Sequence, residues 1–172
     1  MCQIFIVNLG LYNEGFLKGD WFELGQDEEA LNAFLKDVVG INQYYEEWFI
    51  ADDDFEGLNI SISESADIYA LNEMFIRYNE LSISEQEIVQ AITEVMSPSE
   101  TLTDAIDQMD DYCLYPDIET HEDLGYACVN EWGIYDTMQL GPLANYINYE
   151  SLGRDIDIEN RGGFTSKGYL MG

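Results

Sequence analysis

The acidic run DDDFEG at residues 52–57 is the segment whose residue types most resemble a metal-binding loop. It offers oxygen ligands at its first, third and fifth positions and a glycine at its sixth, as the calcium loop of an EF-hand does. The twelfth position, which needs a bidentate acid, is Ser63, and Glu64 comes one residue too late. The flanking residues also favour strands over helices. We therefore predict no metal site, and a Ca²⁺-binding module stays only an alternative.

Catalysis by a Ser-His-Asp or Cys-His arrangement would depend on His121, because it is the only histidine in the chain. It precedes Glu122 and Asp123 at the expected start of a helix, a position typical of a surface residue. The sequence contains neither GxGxxG nor a P-loop, so no nucleotide cofactor is indicated. Carboxylate pairs of the glycosidase type are easy to find in so acidic a chain and carry little information. We expect no enzyme activity, no catalytic residues, no metal and no cofactor.

Charge is the dominant property of the sequence. The chain has 35 Asp and Glu against six Lys and Arg, a formal net charge of −29 over 172 residues. Hydrophobic residues make up 47% of it and aromatic residues 13%, so it can form the core that acidic disordered segments lack. Nucleic acids and membrane surfaces are anionic and would repel it. The natural partner is therefore a basic protein surface, with no nucleic acid and no membrane involved.

The three cysteines are widely spaced and form no CxxC pair, a pattern typical of reduced thiols. No apolar stretch approaches the ~20 residues of a membrane span. No basic segment precedes the first apolar run, so a signal peptide is not expected. These features favour a cytoplasmic protein.

Some of the acids recur at spacings close to those of backbone phosphates. Four acids at i, i+4, i+7 and i+11 from residue 100 would form one helical stripe, with carboxylates about every 5.5 Å. Three alternating acids on a strand expected over residues 154–159 would share one face, about 6.6–6.8 Å apart. The candidate acids for binding a basic partner are Glu46, Glu47, Asp52, Asp53, Asp54, Glu73, Glu80, Glu100, Asp104, Asp107, Asp111, Asp155, Asp157 and Glu159.

The first part of the chain, residues 1–61, is expected to be a small α+β domain. Apolar patterning predicts strands over residues 3–9, 20–24 and 46–51. Asp27 is placed to cap a helix that ends at Gly40.

A helical middle domain is expected over residues 62–111. Apolar residues at helical spacing predict a first helix over residues 67–81. Ser84 and Glu87 fit a capping box that would open a second helix. A third helix would carry the four-acid stripe.

The last part, residues 112–172, is expected to return to α+β structure. Thr120 would start one helix, and Gly141-Pro142 would open another that Gly153 closes. Strands are expected over residues 154–159 and 163–171. The predicted fold class is therefore α+β, with three small domains and short antiparallel sheets.

Two segments carry a family resemblance. IFIVNLGLYNEG at residues 4–15, continuing to GDWF at 19–22, resembles the opening of the ArdA-type antirestriction proteins. GPLANYINYE at residues 141–150, followed by LGRD at 152–155, resembles the antirestriction motif of that family. The order, length and intervening acidity fit as well, so the resemblance spans essentially the whole chain.

The resemblance implies an elongated, curved homodimer with three small domains per chain that imitates bent B-form DNA. Such a protein occupies the DNA-binding groove of type I restriction–modification enzymes and so protects a mobile genetic element, and it is not catalytic. The antirestriction motif is associated with the dimer interface, which here would involve Leu140, Leu143, Asn145, Tyr146, Ile147 and Tyr149. An acidic, halophile-type domain whose charges serve only hydration is the alternative from another class.

Overall fold

The computed structural model describes residues 1–135 and 137–172. It is an α+β protein with two small three-stranded antiparallel sheets, which confirms the predicted fold class. The chain forms two compact units, an N-terminal unit (Met1–Gln86 with Thr101–Thr103) and a C-terminal unit (Glu87–Glu100 with Asp104–Gly172). The division into three domains, 1–61, 62–111 and 112–172, stays a prediction. Within the described residues, none of the helices combines the length and hydrophobicity that spanning a bilayer requires.

The N-terminal sheet has β1 (Cys2–Asn8) at its centre, antiparallel to β2 (Gly19–Glu23) on one side and to β3 (Trp48–Phe55) on the other. One face of the sheet is packed only near the end of β1, where Val7 is buried, whereas the other is closed by hydrophobic packing. On that face Ile4 is fully buried and pairs with the buried Phe22 of β2. Because side chains alternate along a strand, the opposite face of the sheet is open to solvent near the start of β1.

The third strand starts later than the sequence predicted. The expected strand at residues 46–51 is found at Trp48–Phe55, so the three consecutive aspartates lie in a strand. A register shift between Phe5 and Ile6 lets β3 accommodate one extra residue, Ala51, and continue pairing. The first four residues of the acidic run are thus part of an edge strand, and Glu56 and Gly57 form the turn that follows it.

The helices of the N-terminal unit begin largely where their caps predict. Asp27 accepts a hydrogen bond from the Ala30 amide at 2.7 Å, and Gly40 ends the helical segment with φ of 80°. Asp67 accepts from the Tyr69 amide at 2.9 Å. The helices are α1 (Leu9–Asn13), α2 (Glu28–Phe34, continued by a π-helical turn at Leu35–Val39) and α3 (Ile68–Glu80).

The capping box of the next helix lies two residues before the predicted one. Helix α4 spans Ile83–Val95, and Ser82 precedes it. The Ser82 amide donates to the Glu85 carboxylate at 2.7 Å, and the Glu85 amide donates back to the Ser82 hydroxyl at 3.4 Å. The expected box of Ser84 and Glu87 is therefore wrong. The chain offers two overlapping S-x-x-E runs, and the first one caps the helix.

In the C-terminal unit, two helices and a sheet pack around a shared hydrophobic core. The buried residues of that core are Ile118, Leu124, Ala127, Cys128 and Tyr169. The strand at Gly168–Met171 (β6) pairs with both the strand at Cys113–Tyr115 (β4) and the strand at Gly163–Thr165 (β5). The remaining elements of the chain are α5 (Leu102–Gln108, followed by a 3-10 turn at Met109–Asp111), β4 (Cys113–Tyr115), α6 (His121–Asn130), a 3-10 segment (Met138–Tyr146), α7 (Tyr149–Glu159), β5 (Gly163–Thr165) and β6 (Gly168–Met171).

The strand predicted over residues 154–159 is wrong, because this segment is the second half of α7. Asn148 caps the helix by accepting from the Ser151 amide at 3.0 Å. Arg154 then donates to Glu150 one turn earlier at 2.9 Å. The two isoleucines that suggested alternation do not share an environment, since Ile156 packs on the core and Ile158 is exposed.

Gly153 does not end a helix, as predicted, but lets α7 approach α6 closely. A Cβ atom at Gly153 would collide with the carbonyl oxygen of His121, and one at Gly125 would collide with the carbonyl oxygen of Tyr149. The predicted opening at Gly141-Pro142 falls inside the 3-10 segment, where Gly141 has φ 52° and ψ −129°. That conformation is open essentially to glycine alone.

We expect Gly153→Ala to destabilise the C-terminal unit by about 1–3 kcal/mol, because the steric cost in a packed crossing outweighs the higher helix propensity of alanine. Urea unfolding followed by circular dichroism measures the change. Gly163→Ala is the matched control, since its Cβ would meet only Val95 Cγ1 at 3.6 Å. Equal stability of the Gly153→Ala variant and the wild type would contradict the close crossing.

Candidate acidic interaction surface

Most carboxylates of the described residues are exposed to solvent. Of the 34 Asp and Glu side chains within the described residues, 28 are exposed, six are half-buried and none is buried. Among the fourteen candidate acids, eleven are exposed, and the half-buried ones are Glu100, Asp104 and Asp157. Carboxylates that stay in water keep their hydration, so this placement avoids the free-energy cost of burying a charge.

Three of the candidate acids sit on the edge strand β3 and point to both faces of the sheet. Asp52 and Asp54 are on the outer face, where Gln3 Nε2 donates to Asp54 Oδ2 at 3.4 Å. Asp53 lies opposite Ile4 on the other face. Partial burial, together with the adjacent charges of Asp52 and Asp54, raises the pKa of Asp53. Because consecutive strand side chains diverge, these oxygens do not converge on one cation as a calcium loop requires.

The remaining candidate acids of the N-terminal unit are separated from one another. Glu46 and Glu47 are exposed in the segment that leads into β3. Glu73 and Glu80 are exposed on α3, two helical turns apart. Arg77 lies between them at i+4 from Glu73, so this helical face mixes both signs of charge.

The four-acid stripe of the sequence prediction is not carried by one continuous helix. Glu100 precedes α5, and its carboxylate accepts from the Ser97 amide at 2.7 Å. Asp104 and Asp107 are in α5, whereas Asp111 ends the following 3-10 turn. The change of helix type after Gln108 alters the rotation per residue, so the 3.6-residue period does not extend over all four acids.

The three acids at the end of the chain do not share a face, contrary to the strand prediction. On helix α7, Asp155 and Glu159 are one turn apart and both exposed. Asp157 points elsewhere, because it is half-buried and lies 3.1 Å from His121 Nε2. Two of the three acids therefore remain available to a partner, and the third belongs to an internal contact.

His121 is part of a structural network rather than an isolated surface residue. Its ring contacts Asp157 and packs edge-on against Phe164, with the ring centroids 4.9 Å apart. Burial, with a smaller contribution from Asp157, raises the pKa of Tyr169 to about 12. Asn160 Nδ2 donates to the Tyr169 hydroxyl at 3.0 Å. The sequence pattern does not predict this network, because residues 154–159 have the alternation of a strand.

The residues of the antirestriction motif expose apolar surface in the single chain. Leu140, Leu143, Asn145 and Tyr146 are exposed, and Tyr146 is 84% exposed. Ile147 is half-buried.

Tyr149 also contacts its own chain. It is half-buried, and its ring packs edge-on against Tyr126 with the centroids 5.4 Å apart. Asn130 Nδ2 donates to its hydroxyl at 3.3 Å. Three exposed apolar residues that were not among the predicted interface residues, Ile134, Tyr135 and Met138, extend the exposed apolar segment toward α6.

These observations define a class: a small α+β protein with a dense negative surface charge and an exposed apolar segment. The family model described as antirestriction protein (ArdA) matches residues 4–171, so the chain belongs to the ArdA antirestriction family. The resemblance found in the two terminal segments is thereby confirmed. A search among curated proteins gave no match. Membership of this family implies an antirestriction role.

Asp53→Asn is expected to raise stability at pH 7. The pKa of Asp53 is raised on folding, so the folded state binds the proton more tightly than the unfolded chain. Stability therefore falls as the pH rises from the ordinary value of 3.8 through the raised pKa, and the asparagine variant avoids this loss. The gain should stay below about 1 kcal/mol because solvent screens the group.

Thermal unfolding between pH 3 and pH 7 measures this effect, with Glu46→Gln as an exposed loop control. The advantage of the Asp53→Asn variant should be largest at pH 7 and should disappear at the acid end. A variant that is less stable than the wild type at pH 7 would show that the carboxylate is stabilising instead.

Proposed function

We propose that this protein is an antirestriction inhibitor that acts as a B-form DNA mimic and occupies the DNA-binding groove of type I restriction–modification enzymes. The observation that carries the proposal is the exposure of the carboxylates, none of which is buried within the described residues. A chain that only needed hydration would be served equally well by a surface with both signs interspersed. Here the six basic residues neutralise little of the charge.

The charge is of the magnitude that a DNA substitute needs. Duplex DNA carries one negative charge per ~1.7 Å of its axis, so a net charge of −29 matches a duplex of roughly 49 Å. The Lys and Arg side chains that line the DNA-binding groove of an enzyme would bind these carboxylates instead of phosphates. Because most phosphate contacts carry no base information, such an inhibitor does not depend on the recognition sequence of its target.

We also propose that the chain acts as a homodimer through the antirestriction motif. The residues of the motif that would meet a second copy are Leu140, Leu143, Asn145, Tyr146, Ile147 and Tyr149. Exposed apolar side chains on an otherwise strongly charged protein support this assignment, since burial against a partner removes them from water. A dimer would present about twice the charge to one groove.

The first test of the proposed function is competition with DNA. The protein should displace a DNA duplex from a type I methyltransferase core. Its inhibition constant should rise about tenfold or more as the monovalent salt concentration is raised from about 50 to about 200 mM. Fluorescence anisotropy of labelled DNA measures this.

The control variant for that experiment separates summed charge from a single site. Glu159→Gln should leave inhibition nearly unchanged, because one exposed charge contributes little. A variant with asparagine at all four of the following positions should inhibit clearly less than the Glu159→Gln variant: Asp52, Asp54, Asp107 and Asp111. DNA binding that is unaffected by a large molar excess of the wild-type protein would refute DNA mimicry.

Tyr146→Asp should weaken dimerisation, because a carboxylate at an interface must lose its hydration without gaining a partner. Sedimentation velocity over a concentration series measures the monomer fraction. Tyr44→Asp is the matched control, since Tyr44 is 81% exposed, similar to Tyr146 at 84%, but lies in the other unit. An unchanged monomer fraction in the Tyr146→Asp variant would exclude Tyr146 from the interface.

A further inference from the structure

The outer face of the N-terminal sheet places two aromatic rings among carboxylates. Residues paired across the three strands share this face in two neighbouring rows. The first row is Trp21, Phe5 and Asp52, and the second is Glu23, Gln3 and Asp54. The strands lie about 4.8 Å apart, and successive rows about 6.8 Å apart along each strand, so one extended side chain can span both rows.

The two rings form a contact that remains accessible to solvent. The centroids of Phe5 and Trp21 are 5.5 Å apart at an interplanar angle of 71°. Trp21 is 36% exposed and Phe5 is half-buried, whereas Phe22, next to Trp21 in the chain, is buried on the core face. These rings are therefore not part of the core. They present an aromatic surface to whatever approaches the sheet from outside.

Charge complementarity decides which partner this face fits. An uncharged apolar surface would have to cover Glu23, Asp52 and Asp54 and strip their hydration without compensation. An anionic partner would be repelled by the same three groups. A cationic partner avoids both the desolvation cost and the repulsion, because a cation is attracted by the face of an aromatic ring and forms charge-assisted hydrogen bonds with carboxylates.

Among cations, a guanidinium group fits better than an ammonium group. It is planar, so it stacks on an indole ring, and it is weakly hydrated, so the contact costs less desolvation. Its donors point outward in the ring plane, which leaves them free to reach neighbouring carboxylates while the plane is stacked. The rows of the sheet provide this combination, with Trp21 beside Phe5 and the acids around them.

We propose that the outer face of the N-terminal sheet is an arginine-binding surface, on which Trp21 stacks against guanidinium groups of the basic partner and Asp52, Asp54 and Glu23 accept their hydrogen bonds. The inference rests on the proposed function, because it names the side-chain class that this part of the inhibitor engages in a DNA-binding groove. It adds a component that depends on ring stacking and is less sensitive to salt than the carboxylates alone.

The test compares hexa-arginine with hexalysine, two peptides of equal charge, by isothermal titration calorimetry on the full chain. The wild type should bind hexa-arginine more tightly. Trp21→Ala should lose about two- to fivefold in affinity for hexa-arginine and less for hexalysine, the range expected of an exposed cation–π contact. Trp21→Phe should recover part of the loss.

Tyr44→Ala is the matched control, because it removes an exposed aromatic ring of the same unit that lies outside the sheet face. It should bind both peptides as the wild type does. Equal affinity of the Trp21→Ala variant and the wild type for hexa-arginine would overturn the proposal, as would an equal loss in the Tyr44→Ala variant.

A spectroscopic measurement covers the case in which Trp21→Ala fails to fold. In the Trp48→Phe, Trp132→Phe double variant, Trp21 is the only tryptophan. Its fluorescence should change on saturation with hexa-arginine and change less with hexalysine, and an unchanged spectrum would overturn the proposal.

The two proposals can fail separately. Protein that discriminates between the peptides through Trp21 but does not displace DNA from the methyltransferase would refute DNA mimicry and leave the arginine-binding surface intact. Displacement of DNA with equal inhibition constants for the wild type and the Trp21→Ala variant would refute the role of this surface in inhibition.

Discussion

Mutual repulsion among carboxylates is the constraint that every part of this structure must satisfy. A folded chain that carries 35 acids against six basic residues gathers like charge within a small volume, and each unrelieved neighbouring pair lowers stability by a few tenths of a kcal/mol. Burying even one unpaired carboxylate would cost far more than such a pair. Each unit therefore builds its interior mainly from apolar and aromatic side chains, and the polar side chains buried within the described residues, Asn8, Asn72 and Thr93, are uncharged. The acids remain on edge strands, loops and outer helix faces.

Part of the charge is placed where it stabilises the fold. Asp27 and Asp67 cap helices by accepting hydrogen bonds from backbone amides. Asp123 completes a capping box with Thr120. A carboxylate at a helix N-terminus also interacts favourably with the helix dipole, which offsets some of the repulsion. The candidate acid Glu100 has a similar local role, since it accepts from the amide of Ser97. Acids engaged in this way are less free to turn toward a partner, so exposure alone overestimates how many carboxylates such a surface offers.

The sequence predicted the elements whose signals are local and failed where long-range contacts decide. Asp27 marks its helix start because the cap and the apolar period lie within a dozen residues. Gly153, in contrast, resembles a helix terminus, and its actual role depends on α6, whose own glycine lies 28 residues earlier. The alternating acids and isoleucines at residues 154–159 satisfy a strand period, yet the cap at Asn148 and the packing on α6 favour helix. The contact between His121 and Asp157 could not be predicted for the same reason, since it requires α7 to be a helix packed on α6.

Charge and aromatic contacts would contribute to different stages of the proposed inhibition. Attraction between exposed charges extends over about 8–10 Å at moderate salt, so it accelerates association with any basic groove but fixes no orientation. Contacts that require a ring within a few ångströms of a cation act only after docking, and they slow dissociation more than they speed association. A surface of carboxylates alone would therefore bind quickly and leave quickly. The exposed ring of Trp21 and the half-buried ring of Phe5 lie among acids rather than in the core. If the proposed function holds, they would slow the dissociation of a basic groove that the charge has attracted.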